Sequence, residues 1–336
     1  MKRNTPKRQL SLMNEKHSSR VFATRQLPAN GIAMIAAACD LEVWPERLPP
    51  PRDILLRSVA DCQGLVTLLS DRVDAELFDA AGPSLRVVSN YAVGVNNIDL
   101  EEAKRRGIAV GNTPDVLTDA TADLAITLLL AAARHLKPAS DEVRQGCWKT
   151  WEPTGWLGCD LAGRTVGIVG MGRIGAAVAR RLAGGWSMKV LYTARSEKPL
   201  PGIPECQRVE LDELLGRSDF VSLHTDLNDQ TRGMIGKREL ALMKSTAVLI
   251  NTSRGGVLDQ DALAEALRSQ QIFAAGLDVT DPEPLDHHHP LVSLPNCIIL
   301  PHIASATADT RSAMAEICAE NLIAGLQGRP LRAAVD

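Results

Sequence analysis

The chain has no excess of positive charge: 37 lysines and arginines stand against 40 aspartates and glutamates, a formal net charge of −3. Binding to nucleic acid rests on clustered positive charge, so no nucleic-acid partner is expected. There is no C-x-x-C pair, and the seven cysteines, an odd number, are scattered from Cys39 to Cys318. Thiols used in this way suit a reducing compartment, and a cytoplasmic protein is expected. Long apolar runs are missing too. The longest in a helical context, LAITLLLAAA from Leu124 to Ala133, falls well short of the roughly 20 residues that span a membrane. The basic, polar start, MKRNTPKRQLSLMNEKHSSR, lacks the apolar centre of a secretory signal, and residues 1–19 read as a disordered tail. No internal repeat or low-complexity segment stands out.

What is present is the composition of a globular protein, 45% hydrophobic and 23% charged, in 336 residues, more than one ordinary core holds. Short β-prone runs alternate with helical ones: VFATR, GLVTLLS, LRVVSNYAVG and IAVGN come first, each beside a helical stretch. From Thr118 the chain reads as helix to about Leu136, followed by the irregular, Trp-rich QGCWKTWEPTGWLGCDLAG. A second series then runs through RTVGIVGMGRIG, KVLYT, FVSLHT, AVLINTS, AAGLDV and CIILP. Such alternation implies parallel βαβ units. A final helix, about Ala306 to Gln327, is expected to pack back on the first domain. The expected fold class is α/β, with two Rossmann-like or flavodoxin-like parallel-sheet domains and the active site in the cleft between them. Residues 20–116 with 304–336 would form the substrate domain, and 117–303 the dinucleotide-binding domain.

The sharpest motif is GMGRIG, with Gly170, Gly172 and Gly175. It follows the apolar strand TVGIV directly and opens the helical run AAVARRLA. Alone, G-x-G-x-x-G is weak; at a strand-to-helix turn each glycine has a purpose. The first permits the tight turn, the second lets backbone approach a pyrophosphate, and the third allows close helix–strand packing. The helix N-terminus adds N–H donors and a positive dipole end. A dinucleotide cofactor is expected.

Taken together, GIVGMGRIG, NTSRGGVLDQDAL, AAGLDVTDPEPL and LPHIASAT resemble the D-isomer-specific 2-hydroxyacid dehydrogenases. Within that family the chain is most similar to the glyoxylate/hydroxypyruvate reductases, over about Val21 to Arg329. Reducing a 2-oxo acid needs a cation for its carboxylate, a proton donor for the ketone oxygen and a hydride donor. Arg254, just past AVLINTS, offers a planar fork for a carboxylate, and the two glycines after it favour a close backbone approach. His302, at the end of CIILP, carries a group that titrates near neutral pH. With Glu283 accepting a hydrogen bond from its ring, the imidazolium would be kept charged for donation. The resemblance adds Val93, Gly94 and Ser305 as substrate contacts. It adds Arg173, Ile174, Thr252 and Asp278 as cofactor contacts, with Asp278 beside the nicotinamide.

The polar stretch GLDVTDPEPLDHHHPL holds three consecutive histidines, His287 to His289. Adjacent side chains of an extended segment point apart, so the triplet reads as a solvated loop and no metal is expected. The Trp cluster (Trp148, Trp151, Trp156) suits either a core or the interface of a homodimer, the role that the resemblance implies for that segment. Two positions depart from the family: Asp226 stands where relatives carry proline, and Ala194 where an NAD site carries an acid for the ribose 2′-hydroxyl. Arg195, Ser196 and Lys198 beside it favour a 2′-phosphate, so NADPH is expected ahead of NADH. The expected activity is reduction of glyoxylate or hydroxypyruvate. The alternatives are another D-2-hydroxyacid dehydrogenase, of the D-lactate or phosphoglycerate type, and a dinucleotide-sensing corepressor without turnover.

Overall fold

A computed structural model describes residues 19–335 of the chain, apart from 199, 201 and 204. All but Ser19 of the expected disordered tail lies outside the described residues. The chain forms two compact units, Met1–Pro114 with Arg311–Asp336, and Asp115–Thr310.

The first unit holds a five-stranded sheet of β1 (Arg20–Ala23), β2 (Asp40–Val43), β3 (Gly64–Thr67), β4 (Val87–Asn90) and β5 (Ala109–Gly111). All neighbours are parallel, in the order β2-β1-β3-β4-β5. This is the flavodoxin-like order. The central strands β3 and β4 are buried at every residue, as a sheet covered on both faces requires. The final helix, Ala308–Leu326, packs on this sheet through small residues. A Cβ on Gly325 would sit 2.6 Å from Val87, and Ser89 donates a 2.8 Å hydrogen bond to the carbonyl of Cys318.

The second unit holds β6 (Thr165–Val169), β7 (Lys189–Thr193), β8 (Cys206–Arg208), β9 (Phe220–Leu223), β10 (Val248–Asn251), β11 (Ala274–Leu277) and β12 (Cys297–Ile299). They run parallel in the order β12-β11-β10-β9-β6-β7-β8. The order reverses between β9 and β6, the switch point where doubly wound sheets bind ligands beyond their strand ends. Alternating side chains feed two cores. Ile168 packs with Leu128 and Leu182 on one face, Val169 with Leu214 and Leu263 on the other.

One expected element, the helix from Thr118 to about Leu136, ends early and is followed by a second. The run from Thr118 is helical over Thr118–Ala133, His135 turns left-handed at φ 52°, and a second helix occupies Leu136–Arg144. Pro138 explains the break: it has no N–H for the carbonyl four residues back, yet is tolerated in the first turn of a new helix. Among the described residues no helix is long and apolar enough to cross a membrane.

Candidate active site

The glycine turn lies at the carboxyl end of β6, and its three glycines differ in purpose. Gly170 has φ 97°, and a Cβ there would lie 2.6 Å from the carbonyl oxygen of His224, beyond β9. A Cβ on Gly175 would come within 2.2 Å of the Gly170 oxygen, so the helix Arg173–Trp186 seats against the turn only with glycine there. Gly172, the N-cap of that helix, faces open space, since a Cβ there would meet nothing within 4 Å. Two buried polar atoms at neighbouring strand ends have no partner among the described residues: Oγ1 of Thr252, past β10, and Nδ1 of His224, past β9. Unpartnered buried polar atoms are costly, and a ligand laid along this edge would relieve them. Open backbone at a helix N-terminus with polar groups along the sheet edge suits a dinucleotide.

His224 was not singled out in the sequence. Its Nε2 lies 2.8 Å from the Ser222 hydroxyl, and burial pushes its imidazole down to about 4, so the ring is neutral near pH 7. The only signal was a histidine directly after the apolar strand FVSL.

Beyond β10 the backbone turns sharply around Asn251. Its side chain donates to the carbonyl of Arg254 at 2.9 Å and accepts from the Ser253 N–H at 3.0 Å. A Cβ on Gly255 would fall 2.0 Å from the backbone carbon of Thr280. Glycine therefore lets the Arg254 turn press against the loop that carries Glu283. The Arg254 guanidinium is half-buried, and burial pulls its pKa down against the opposing pull of Glu283 and Asp226. Among the described residues no carboxylate comes within ion-pair distance of it; Nη1 donates to the Ser253 carbonyl at 2.6 Å. Asp226, the departure from the family proline, is exposed and acts on Arg254 through its charge.

Glu283 and His302 meet directly, with Oε2 2.8 Å from Nδ1. The other carboxylate oxygen accepts from the Thr280 N–H at 3.1 Å. Burial alone would push the Glu283 carboxyl up; the hydrogen bond and charge of His302, the Thr280 N–H and Arg254 together hold it below the usual range. It is thus a carboxylate near pH 7, turned to the ring. His302 itself sits at φ 54°, a left-handed conformation costly for a side chain with a Cβ. Asp278, fully buried at the end of β11, holds it there. Its carbonyl accepts from the His302 N–H at 2.9 Å. Its carboxylate oxygens accept from Ile303 and Ala304, each at 2.8 Å. Expected beside the nicotinamide, Asp278 thus also fixes the backbone at His302.

The Glu283–His302 contact makes a pH prediction. The Glu283 carboxyl is held below its usual range, so its charged bond to His302 is present above that range and is lost as the pH falls through the lowered value. Wild-type kcat should therefore fall at the acid end of the profile, and Glu283→Gln, which has no carboxyl to protonate, should lack that fall. A variant profile that overlays the wild type at the acid end would show that Glu283 only holds shape.

The remaining expected residues are more dispersed. Ser305 lies in the turn after Ala304, half-buried. Ile174 packs at the edge of the helix core, and the Arg173 Nε lies 3.0 Å from Asp115. Arg195, Ser196 and Lys198 are exposed past β7; no acid stands at Ala194, whose carbonyl accepts from Arg208 at 2.9 Å. In the first unit, Val93 and Gly94 follow β4, with their carbonyls held by the side chains of Asn112 (2.7 Å) and Asn90 (3.0 Å). Asp286, His287 and His288 offer ligand atoms within 4.8 Å of one another, all exposed. His289 instead caps the helix Pro290–Ser293, its Nδ1 accepting from the Leu291 N–H at 3.2 Å.

The family profile described as "D-isomer specific 2-hydroxyacid dehydrogenase, NAD binding domain" matches residues 126–304. A glyoxylate reductase of Korarchaeum cryptofilum is 51% identical over 315 residues, covering 92% of this chain and 93% of its own. The glyoxylate reductase/hydroxypyruvate reductase of Homo sapiens is 48% identical over 315 residues, covering 93% and 96%. Among solved structures, the NADPH-dependent glyoxylate/hydroxypyruvate reductase of Sinorhizobium meliloti, in complex with NADP and malonate, is similar at TM-score 0.80 and 32% identity. That likeness covers 94% of this chain and 96% of the other.

Proposed function

This chain belongs to the D-isomer specific 2-hydroxyacid dehydrogenase family, and we propose that it reduces glyoxylate or hydroxypyruvate to glycolate or D-glycerate. The observation that carries this reading is a half-buried Arg254 with no carboxylate partner among the described residues, beside a His302–Glu283 pair 2.8 Å apart. A cation held in that way is ready for the carboxylate of a 2-oxo acid. His302, oriented through Nδ1 by Glu283 and through its backbone by Asp278, presents Nε2 to the ketone oxygen and gives it a proton. A reduced nicotinamide dinucleotide supplies the hydride when bound. Gly170, Gly172, Arg173, Ile174, Gly175, Thr252 and Asp278 would hold it, as the open face at Gly172 and the unpartnered Thr252 hydroxyl support. The substrate roles of Val93, Gly94 and Ser305 rest on the family resemblance. A kcat/KM panel of glyoxylate, hydroxypyruvate, pyruvate and phosphohydroxypyruvate tests the reading. The first two should lead, and a lead by pyruvate or phosphohydroxypyruvate would refute the substrate assignment.

The dinucleotide is proposed to be NADPH, with NADH the weaker alternative. The missing acid at Ala194 and the cations Arg195 and Lys198 support this, as does the NADPH dependence of the Sinorhizobium relative. Replacing Arg195 by alanine should raise KM for NADPH about tenfold through the lost phosphate bond and leave that for NADH nearly unchanged. Equal losses with both cofactors would refute the role of Arg195.

The assembly proposed is a homodimer formed through the Trp-rich segment. Trp151 is 79% exposed, and Trp148, Trp156 and Leu157 are exposed beside it in sequence, which argues against a core role. A cluster of this kind is the mark of an interface. Sedimentation should give twice the chain mass, and Trp151→Ser should shift the equilibrium toward monomer; an unchanged monomeric mass in the wild type would refute it. Seven free thiols support a cytoplasmic location.

A further inference from the structure

In the turn after β4 of the first unit, consecutive carbonyls are engaged and the N–H groups beside them are not. The carbonyl of Ala92 accepts from the N–H of Thr113 at 2.9 Å, and that of Val93 accepts from the side-chain amide of Asn112 at 2.7 Å. Both donors sit in one segment, directly past β5. A trans peptide unit is planar, with its C=O and N–H pointing in opposite directions. Both peptide units here are trans. The N–H groups of Val93 and Gly94 share those units with the two held carbonyls, so both turn away from the 112–113 segment. Neither N–H has a hydrogen-bond partner among the described residues. The next carbonyl, of Gly94, is fixed by the buried Asn90 at 3.0 Å. Successive unpartnered N–H groups in a turn suit an anion.

Asn112 is itself held through its backbone. Its N–H donates to the carbonyl of Ala333 at 3.1 Å, and its carbonyl accepts from the side chain of Asn321 at 2.9 Å. Asn321, fully buried on the final helix, also accepts from the Ala333 N–H at 2.9 Å. A Cβ on Gly111 would lie 2.8 Å from the Asn321 side chain, so glycine lets the two elements close on each other. A continuous chain of hydrogen bonds thus runs from the final helix and Ala333, through Asn112, to the Val93–Gly94 peptide. An amide suits this place, because its nitrogen donates to the carbonyl without setting a negative charge near an incoming anion.

We infer that Asn112 is a positioning residue, which aims the Val93 and Gly94 N–H groups at the substrate carboxylate. The inference rests on the 2-oxo acid reading above, in which those two residues contact the substrate, and deepens it. Asn112 acts through the peptide rather than on the reacting atoms. It keeps one peptide plane from turning, so the carboxylate meets donors already in place. The carboxylate is present in the ground and transition states alike, so the effect belongs to KM more than to kcat.

The test measures KM and kcat for glyoxylate and hydroxypyruvate, and KM for the nicotinamide cofactor, in the full chain and in variants at this position. Asn112→Ala removes the donor, and Asn112→Leu removes it while keeping most of the volume. Asn112→His offers an N–H the same number of bonds from the backbone. The alanine and leucine variants should each raise KM for the 2-oxo acid about three- to tenfold, the effect of one neutral hydrogen bond. In both, kcat should stay within about twofold and KM for the cofactor should not move. Asn112→His should recover part of the loss. Asn112 is only half-buried, and if one variant fails to fold the other carries the test. An unchanged KM in the alanine variant, or a wild-type KM in the leucine variant, would overturn the inference and leave the 2-oxo acid reading standing. So would a kcat that falls as far as KM rises with cofactor binding weakened too, the mark of a residue that only supports the fold. A wild type that reduces neither acid would overturn the 2-oxo acid reading and this inference with it.

Discussion

His302→Ala is expected to lower kcat for glyoxylate reduction by about 100- to 10,000-fold, the range for losing a positioned general acid, while dinucleotide affinity stays nearly constant. Both halves of the expectation come from the geometry. The ring is held at Nδ1 by Glu283 at 2.8 Å, and its backbone at φ 54° by Asp278, so little motion is left to the imidazole. The glycines and Thr252, proposed to hold the cofactor, lie past the ends of β6 and β10, whereas His302 follows β12 at the sheet edge. Alanine at 302 keeps the Asp278 hydrogen bonds, which are made to backbone N–H groups, so the fold should survive. A variant that retained a tenth of wild-type kcat at neutral pH would remove His302 from the proton transfer.

The second large effect is expected at Arg254. Arg254→Lys keeps the charge and loses the planar fork, and a charge-assisted hydrogen bond contributes about 1.5–3 kcal/mol. KM for the 2-oxo acid should therefore rise roughly tenfold to a hundredfold. Because the carboxylate is held in the ground and transition states alike, KM should rise more than kcat falls. Lysine would also lose the 2.6 Å bond to the Ser253 carbonyl that steadies the side chain. A KM within twofold of the wild type would mean that the substrate carboxylate is held elsewhere.

Most of the fold was legible because buried parallel strands are written as unbroken apolar runs. FVSL, VLIN and AAGL are buried at every residue and could be read directly. The two strands that escaped notice are both sheet edges, β2 (DLEV) and β8 (CQR). Each has a partner on one side only and several exposed residues, so neither needs an apolar run. The helix Leu136–Arg144 escaped because it buries no residue, so no apolar pattern announces it after the run that ends at Ala133.

The nearness of Arg254, Glu283 and His302, the three residues proposed for catalysis, was legible for a related reason. Parallel strands deliver their carboxyl ends to one edge, so residues just past AVLINTS, AAGLDV and CIILP had to be neighbours. What the sequence hid was long-range. The clamp of Asp278 on Ile303 and Ala304 joins residues 25 and 26 positions apart, and no local pattern announces it. His224 looked like an ordinary strand-end residue until its Nδ1 proved buried with no partner among the described residues.

The central claim is that this site moves a hydride to a 2-oxo acid, and the most direct measurement is a product balance. Purified full-length chain is mixed with NADPH and glyoxylate at neutral pH, and oxidised cofactor and glycolate are both quantified over time. Glycolate should appear mole for mole with oxidised NADPH, and the same mixture with His302→Ala should form almost none. Tight binding of NADPH without its oxidation, in protein whose fold is intact, would contradict the account and leave a dinucleotide sensor in its place.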